Sequence, residues 1–202
     1  MQIYKPWSDD LKQTLCRTVK NVRRASSDFD LNPGGVILPT DKVLKPAAVL
    51  IAVTETGDVV LTKRAAHLKH HAGQIAFAGG RMDDTDDDLT HTALREAQEE
   101  IGLDPSVVTV LGKLPFHETV TGYSITPIVA MVPAGFRYIH EPGEVDETFT
   151  VPLTHVLSLK NYRIEGRVWQ GKMRYYYAAP YGPYYIWGAT ARILRGMAEA
   201  AQ

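Results

Sequence analysis

The 202-residue chain has one cysteine, Cys16. A single thiol excludes an intrachain disulfide framework and removes the thiol pairs of most structural zinc sites. A reducing, cytoplasmic setting is the expectation. An excess of either charge is missing too: 22 Lys and Arg stand against 23 Asp and Glu, a formal net charge of -1. No broadly basic surface therefore points to nucleic acid. No apolar run approaches the roughly 18 residues of a membrane span. The start, MQIYKPWSDD, has no signal-peptide core, and the tail AEAAQ is no sorting signal. Internal repeats and low-complexity segments are absent. What is present, 45% hydrophobic and 22% charged residues, is the composition of a globular domain with one sizeable core.

Turn and cap signals divide the chain. Ser8 is placed to cap an amphipathic helix, DDLKQTLCRTVKNV, whose basic end VKNVRRASS reads as solvated. ASSDFDLNPGG (25–35) reads as a polar linker, so residues 1–35 are expected to be an N-terminal helix and linker packed on a domain of residues 36–202. AAVLIAVTET, a Gly57-Asp58 turn and VVLTKR predict a hairpin. GQIAFAGG is a short apolar run ending in two glycines. The acidic stretch RMDDTDDDLT then leads into a helix from about Leu89 to Ile101, with Leu89, Ala93, Leu94, Ala97 and Ile101 on its apolar face and Gly102 placed to end it. Asp86, Asp87 and Asp88 are suited to capping that helix. Strands are expected at VVTVLGKL, YSITPIVAMV, TFTVPL, YRIEGRVW and KMRYYYAA, and a last helix from about Ile186 to Ala200. This order predicts a mixed α/β domain.

Within the middle helix, REAQEE (95–100) gathers three carboxylates. At about 100° per residue, Glu96, Glu99 and Glu100 span about 100° of one flank beside the apolar stripe. Like charges at this spacing cost a helix only about 0.2–0.5 kcal/mol per pair, so a solvated acidic face is one reading. The other is a hard divalent cation, which takes oxygen ligands from one or two carboxylates and completes its shell with substrate phosphate and water. Arg95 is placed to pin one carboxylate or a phosphate. Gly79 and Gly80, just upstream in FAGGRMDD, allow a sharp turn and a close approach to bare backbone. Glycine loop, acidic loop and glutamate helix together favour the metal reading.

GG…REAQEEIGL resembles the Nudix box. Arg95, Glu96, Ala97, Glu99, Glu100, Gly102 and Leu103 match its second half. The segment from Gly80 to Arg95 is one residue longer than usual, and Asp86 or Asp87 stands near the box's first glutamate. VLTKRAAHLKHHAGQIAFAGGRMD resembles the motif preceding the box in the coenzyme A pyrophosphatases of that superfamily, through Leu61, Thr62, Arg64, Gly73, Phe77, Gly79 and Gly80. Lys69 replaces the usual arginine and Ala78 the usual proline. YGPYYIWGATARIL is similar to the start of that group's C-terminal helix.

The resemblance implies an α/β/α sandwich around a mixed sheet, with the box as loop-helix-loop. It implies Mg²⁺- or Mn²⁺-dependent hydrolysis of a small nucleoside diphosphate derivative, here coenzyme A or its thioesters, with ADP-ribose or a nucleoside triphosphate as alternative substrates and a non-catalytic ligand sensor as a further alternative. It implies Glu96 and Glu100 as metal ligands, Glu99 next, the Gly80 carbonyl in support, and Arg95 orienting the glutamates. Glu144 and Glu147, in HEPGEVDETFTVPL, are expectations for a loop acid that activates water, with Glu118 a weaker one. Arg64 and Lys69 are expected at substrate phosphates, Gly73 beside them, and Phe77 either in the core or stacked on a base. HLKHH lacks the spacing and partners of a zinc site. Outward-facing tyrosines of MRYYYAAPYGPYYIW would line a substrate groove or join two copies in a homodimer.

Overall fold

The computed structural model describes residues 8–32, 43–169 and 171–202. Ser8 caps α1 (Asp9–Asn21), its hydroxyl accepting from Leu11 N–H at 3.2 Å. The strands are β1 (Ser26–Ser27), β2 (Lys45–Thr54), β3 (Asp58–Arg64), β4 (Ile75–Ala76), β5 (Ala78–Arg81), β6 (Thr109–Lys113), β7 (His117–Glu118), β8 (Tyr123–Val132), β9 (Val145–Pro152), β10 (Arg163–Trp169) and β11 (Lys172–Ala178). The other helices are α2 (Leu89–Ile101), α3 (Leu153–Val156) and α4 (Gly188–Ala200).

Nine strands form one mixed sheet. Its main path runs β1-β7-β8-β2-β3-β4, while β5 pairs with β2, β6 with β8 and β9 with β3. β2 and β8 lie parallel, from Lys45 opposite Tyr123 to Thr54 opposite Val132. Both are nearly continuous apolar runs because helices cover both faces. Side-chain alternation assigns the faces. Ala48, Leu50 and Ala52 of β2 pack with Ala93, Ala97 and Ile101 of α2. Ile51 and Val53 pack with Leu194 and Met197 of α4 and Leu15 of α1. The result is the expected α/β/α sandwich. β10 and β11 form a separate two-stranded ribbon, held to α4 through Tyr177, over whose ring Arg192 and Arg195 lie.

Several local expectations are corrected. Residues 25–32 are not a bare linker. β1 pairs parallel with β7, and the buried His117 ring bonds Ser26 at 2.9 Å and Asp28 at 3.2 Å. The boundary expected at residue 35 falls outside the described residues. The last helix starts at Gly188, because Ile186 and Trp187 are still extended: Ala179 N–H donates to the Ile186 carbonyl at 2.8 Å. Short helical turns at 153–156 and 159–161 were not foreseen, being too brief to show a period. Among the described residues no helix is long and apolar enough to cross a membrane.

Candidate active site

α2 is built to stand close to the sheet. Asp88 caps it, accepting from His91 N–H at 2.8 Å, and Gly102 ends it with φ 71°. Ala93 and Ala97 are fully buried and put little bulk between the helix and the strands. The flank carrying the glutamates therefore meets β5 at its two glycines. A Cβ on Gly80 would fall 2.4 Å from the Glu96 carboxyl carbon, and one on Gly79 would fall 2.4 Å from the Ala48 carbonyl. At Gly79, with φ 156°, the strand backbone requires glycine; at Gly80 a side chain would displace the Glu96 carboxylate.

Glu100 is the most enclosed of the three carboxylates, 3% exposed. It accepts from Gly79 N–H at 3.2 Å and lies 3.6 Å from Arg64 Nη1. Those contacts do not offset its burial, which pushes its pKa up to about 8, helped by the nearby Glu96 and Glu144 charges. Glu96 is raised for the same first reason, opposed by Arg95. Glu99 is mostly exposed and accepts from Arg95 Nη1 at 3.2 Å.

Arg95 joins the parts. Its Nε and Nη2 grip the two oxygens of Asp86, each at 2.9 Å; Nη1 reaches Glu96 at 2.9 Å; Nη2 also donates to the Arg81 carbonyl at 3.2 Å. Asp86 additionally accepts from Thr92 Oγ1 and Asp83 N–H, both at 2.9 Å. The Arg95 guanidinium holds the Asp86 carboxyl well below the usual carboxylate range. Of the three aspartates read as caps, only Asp88 caps the helix. Asp86 is a buried clasp on Arg95, and Asp87 is exposed.

The remaining expected residues divide. Glu144 sits in an exposed loop near Glu96 and Glu100, raising the pKa of both. That loop is tied to the end of α2 by Ile139 N–H to the Ile101 carbonyl at 3.0 Å and Glu141 N–H to the Glu100 carbonyl at 3.2 Å. Glu147 is not with them. It lies opposite Lys63, in alternation with Phe149 and Val151, on the face covered by α4, and there it accepts from Tyr184 Oη. Its expected role as a loop acid beside the box is therefore withdrawn. Glu118 lies in β7, paired with β1 and β8.

Phe77 is 4% exposed in the core cluster under α4, so its ring is packing rather than a stacking platform. Gly73 is exposed with φ 68°, and its N–H donates to the Arg64 carbonyl at 3.1 Å. It closes the 64–74 loop, as the positive φ requires, instead of facing the glutamates. Lys69 is exposed in that loop. Arg64 sits against Glu100, with its Nε buried and without a hydrogen-bond partner among the described residues.

The donor set suits a hard cation: carboxylates at Glu96, Glu99 and Glu100, with the bare backbone of Gly80 alongside. A buried carboxylate whose one N–H and one guanidinium do not offset its burial suits a further positive charge. The set is not pre-gathered, since among the described residues no three His, Cys, Asp or Glu side chains stand in metal-holding geometry. Arg95 holds one oxygen each of Glu96 and Glu99, which leaves each carboxylate a second oxygen for a cation.

The model of the NUDIX domain matches residues 44–168, more than half the chain. The chain is a Nudix hydrolase. Relatives named "Uncharacterized Nudix hydrolase NudL" from Escherichia coli O7:K1 and from Shigella boydii serotype 18 are each 40% identical over 156 residues, covering 76% of this chain and 81% of theirs. A MutT protein from Methanosarcina mazei Go1 aligns with a TM-score of 0.48 at 22% identity, over 59% of this chain and 84% of its own. As a Nudix hydrolase the chain is a pyrophosphohydrolase of nucleoside diphosphate derivatives, and α2 with its flanking loops is the Nudix box. Sequence reasoning missed the Asp86 clasp, whose only signal was an acidic residue near the box's absent glutamate.

Proposed function

We propose that this Nudix hydrolase cleaves the pyrophosphate of coenzyme A or its thioesters, giving 3',5'-ADP and 4'-phosphopantetheine or its acyl form. The observation that carries the reading is the segment from Leu61 to Gly80. Apart from Lys69 and Ala78 it resembles the motif preceding the box in coenzyme A pyrophosphatases, and in the fold it runs from β3 to β5, with Arg64 and Gly79 against Glu100.

Glu96 and Glu100 would hold Mg²⁺ or Mn²⁺, with Glu99 at the exposed rim and the Gly80 carbonyl in support. The bound ion supplies positive charge against the pyrophosphate and lowers the pKa of a water molecule. The protein's own part is positioning and charge stabilisation, as phosphoryl transfer requires. Asp86 locks Arg95, which sets the rotamers of Glu96 and Glu99. Arg64, partly exposed beside Glu100, brings a guanidinium to the site for an incoming anion. Glu144 is the acid placed to take a proton from water. The chain acts in the cytoplasm on a small molecule.

Product analysis with coenzyme A, ADP-ribose and a nucleoside triphosphate, each with Mg²⁺ and with Mn²⁺, tests this. Release of 3',5'-ADP by the wild type and its loss in Glu100→Gln is the expected result. Turnover of ADP-ribose or the triphosphate alone would sink the substrate assignment and keep the chemistry. Coenzyme A binding without turnover of anything would make the chain a sensor.

A further inference from the structure

The β10–β11 ribbon takes no part in the site described above. One of its faces carries Ile164, Val168, Met173 and Tyr175, which are 56%, 66%, 53% and 49% exposed. The opposite face carries Arg163, Glu165, Arg167 and Trp169 of β10 by alternation. Among the described residues, β11 is the only strand that pairs with β10, so the outer edge of β10 is open. Charges on such an edge ordinarily discourage pairing. Here they alternate in sign, and that makes them selective.

We propose that β10 pairs antiparallel with β10 of a second copy about a two-fold axis through Gly166, joining the two ribbons into one four-stranded sheet of a homodimer. The register follows from the sequence of the strand. Centred on Gly166, Glu165 faces Arg167 of the second copy and Arg167 faces its Glu165. Ile164 faces Val168 and the reverse, on the other side of the sheet. Arg163 faces Trp169 in cation–π reach. Centring on Glu165 instead sets Glu165 against itself and Arg163 against Arg167. Centring on Arg167 sets Arg167 against itself. Centring between residues aligns the apolar face of one ribbon with the polar face of the other. Centring on Ile164 also sets Arg163 against Glu165, but then only residues 163–165 of the two strands overlap; the Gly166 register satisfies both charge and face along the whole of β10.

Gly166 also suits the axis. It has no side chain there, and the Tyr175 ring fills the space: a Cβ on Gly166 would lie 3.1 Å from the ring carbons. Two tyrosines, one from each copy, therefore flank the two-fold and cover the junction of the apolar faces. Because the contact is self-complementary it closes at two copies and does not propagate.

The test is sedimentation equilibrium of the full chain over a micromolar dilution series. The wild type is expected to dimerise. Glu165→Arg and Arg167→Glu each set like charges opposite one another twice per dimer, and each is expected to raise the dissociation constant by about 100-fold. Mixing the two single variants puts opposite charges together again in both pairs, so the 1:1 mixture is expected to regain the dimer. Rescue on mixing cannot come from a misfolded ribbon, and unchanged hydrolysis by each variant checks the rest of the fold. A wild type that stays monomeric, single variants that dimerise like it, or a mixture that stays monomeric would each overturn the proposal.

Discussion

α2 and α4 are both 13 residues long and cover opposite faces of one sheet. α4 is made for packing. It buries Ile193, Leu194 and Met197, has no side-chain cap, and leaves Arg192, Arg195 and Glu199 to pair at its partly exposed surface. α2 packs largely through two alanines and Ile101, and it buries a carboxylate, Glu100. For stability alone, a leucine at 100 would serve better. A helix that keeps an enclosed, poorly compensated carboxylate against Gly79 and Gly80 gives up stability there, and α4 shows what the same length of helix does without such a group.

Mutation at matched sites sharpens the contrast. Glu100→Gln should lower kcat/KM by about 10²–10³-fold, the scale of one preorganised electrostatic contact, while the melting temperature holds or rises. The counterpart, Leu194→Ala, should remove about 2–5 kcal/mol of stability in denaturant melts through cavity formation, with kcat nearly unchanged in the fraction that remains folded. Equal losses of activity in both would erase the distinction.

Asp86→Ala strips Arg95 of its two-pronged partner. A broken buried pair costs about 3–5 kcal/mol; because Arg95 is partly exposed, the low end is expected in urea melts, together with weaker metal binding by calorimetry. Glu199→Ala, which breaks the surface pairs of α4, should change stability by no more than about 0.5 kcal/mol.

The pH response separates the helices last. Metal-free, folded Glu100 binds its proton up to about pH 8, above its ordinary value of 4.5. Between those values the folded state keeps a proton that the unfolded chain has released, so this group's contribution to stability falls as pH rises across the window. Metal-free melts from pH 5 to 8 should show that slope in the wild type and a shallower one in Glu100→Gln.

Much of the box was legible because it is local. The period of Leu89, Ala93, Ala97 and Ile101, the stop at Gly102 and the flank of three glutamates all lie within about four turns, where helical geometry alone relates them. Glu147 was misplaced for the opposite reason. Nearness in sequence to Glu144 says nothing of the sheet face, which is set by pairing between β9 and β3 and by the register shift at Lys63/Arg64. Phe77 and Gly73 were drawn into the site by the motif they share with Arg64, yet one points into the core under α4 and the other closes a loop.

Reading the residues alone therefore established the α/β class, the glutamate helix and its family, since periodicity and motif spacing survive without coordinates. The clasp of Asp86 on Arg95, the pressing of Glu96 and Glu100 onto Gly80 and Gly79, and the placing of Glu147 beyond the sheet arose only on folding. Each joins residues from different elements, and what separates a catalytic carboxylate from a solvated one is the burial and the partners that such long-range contacts impose.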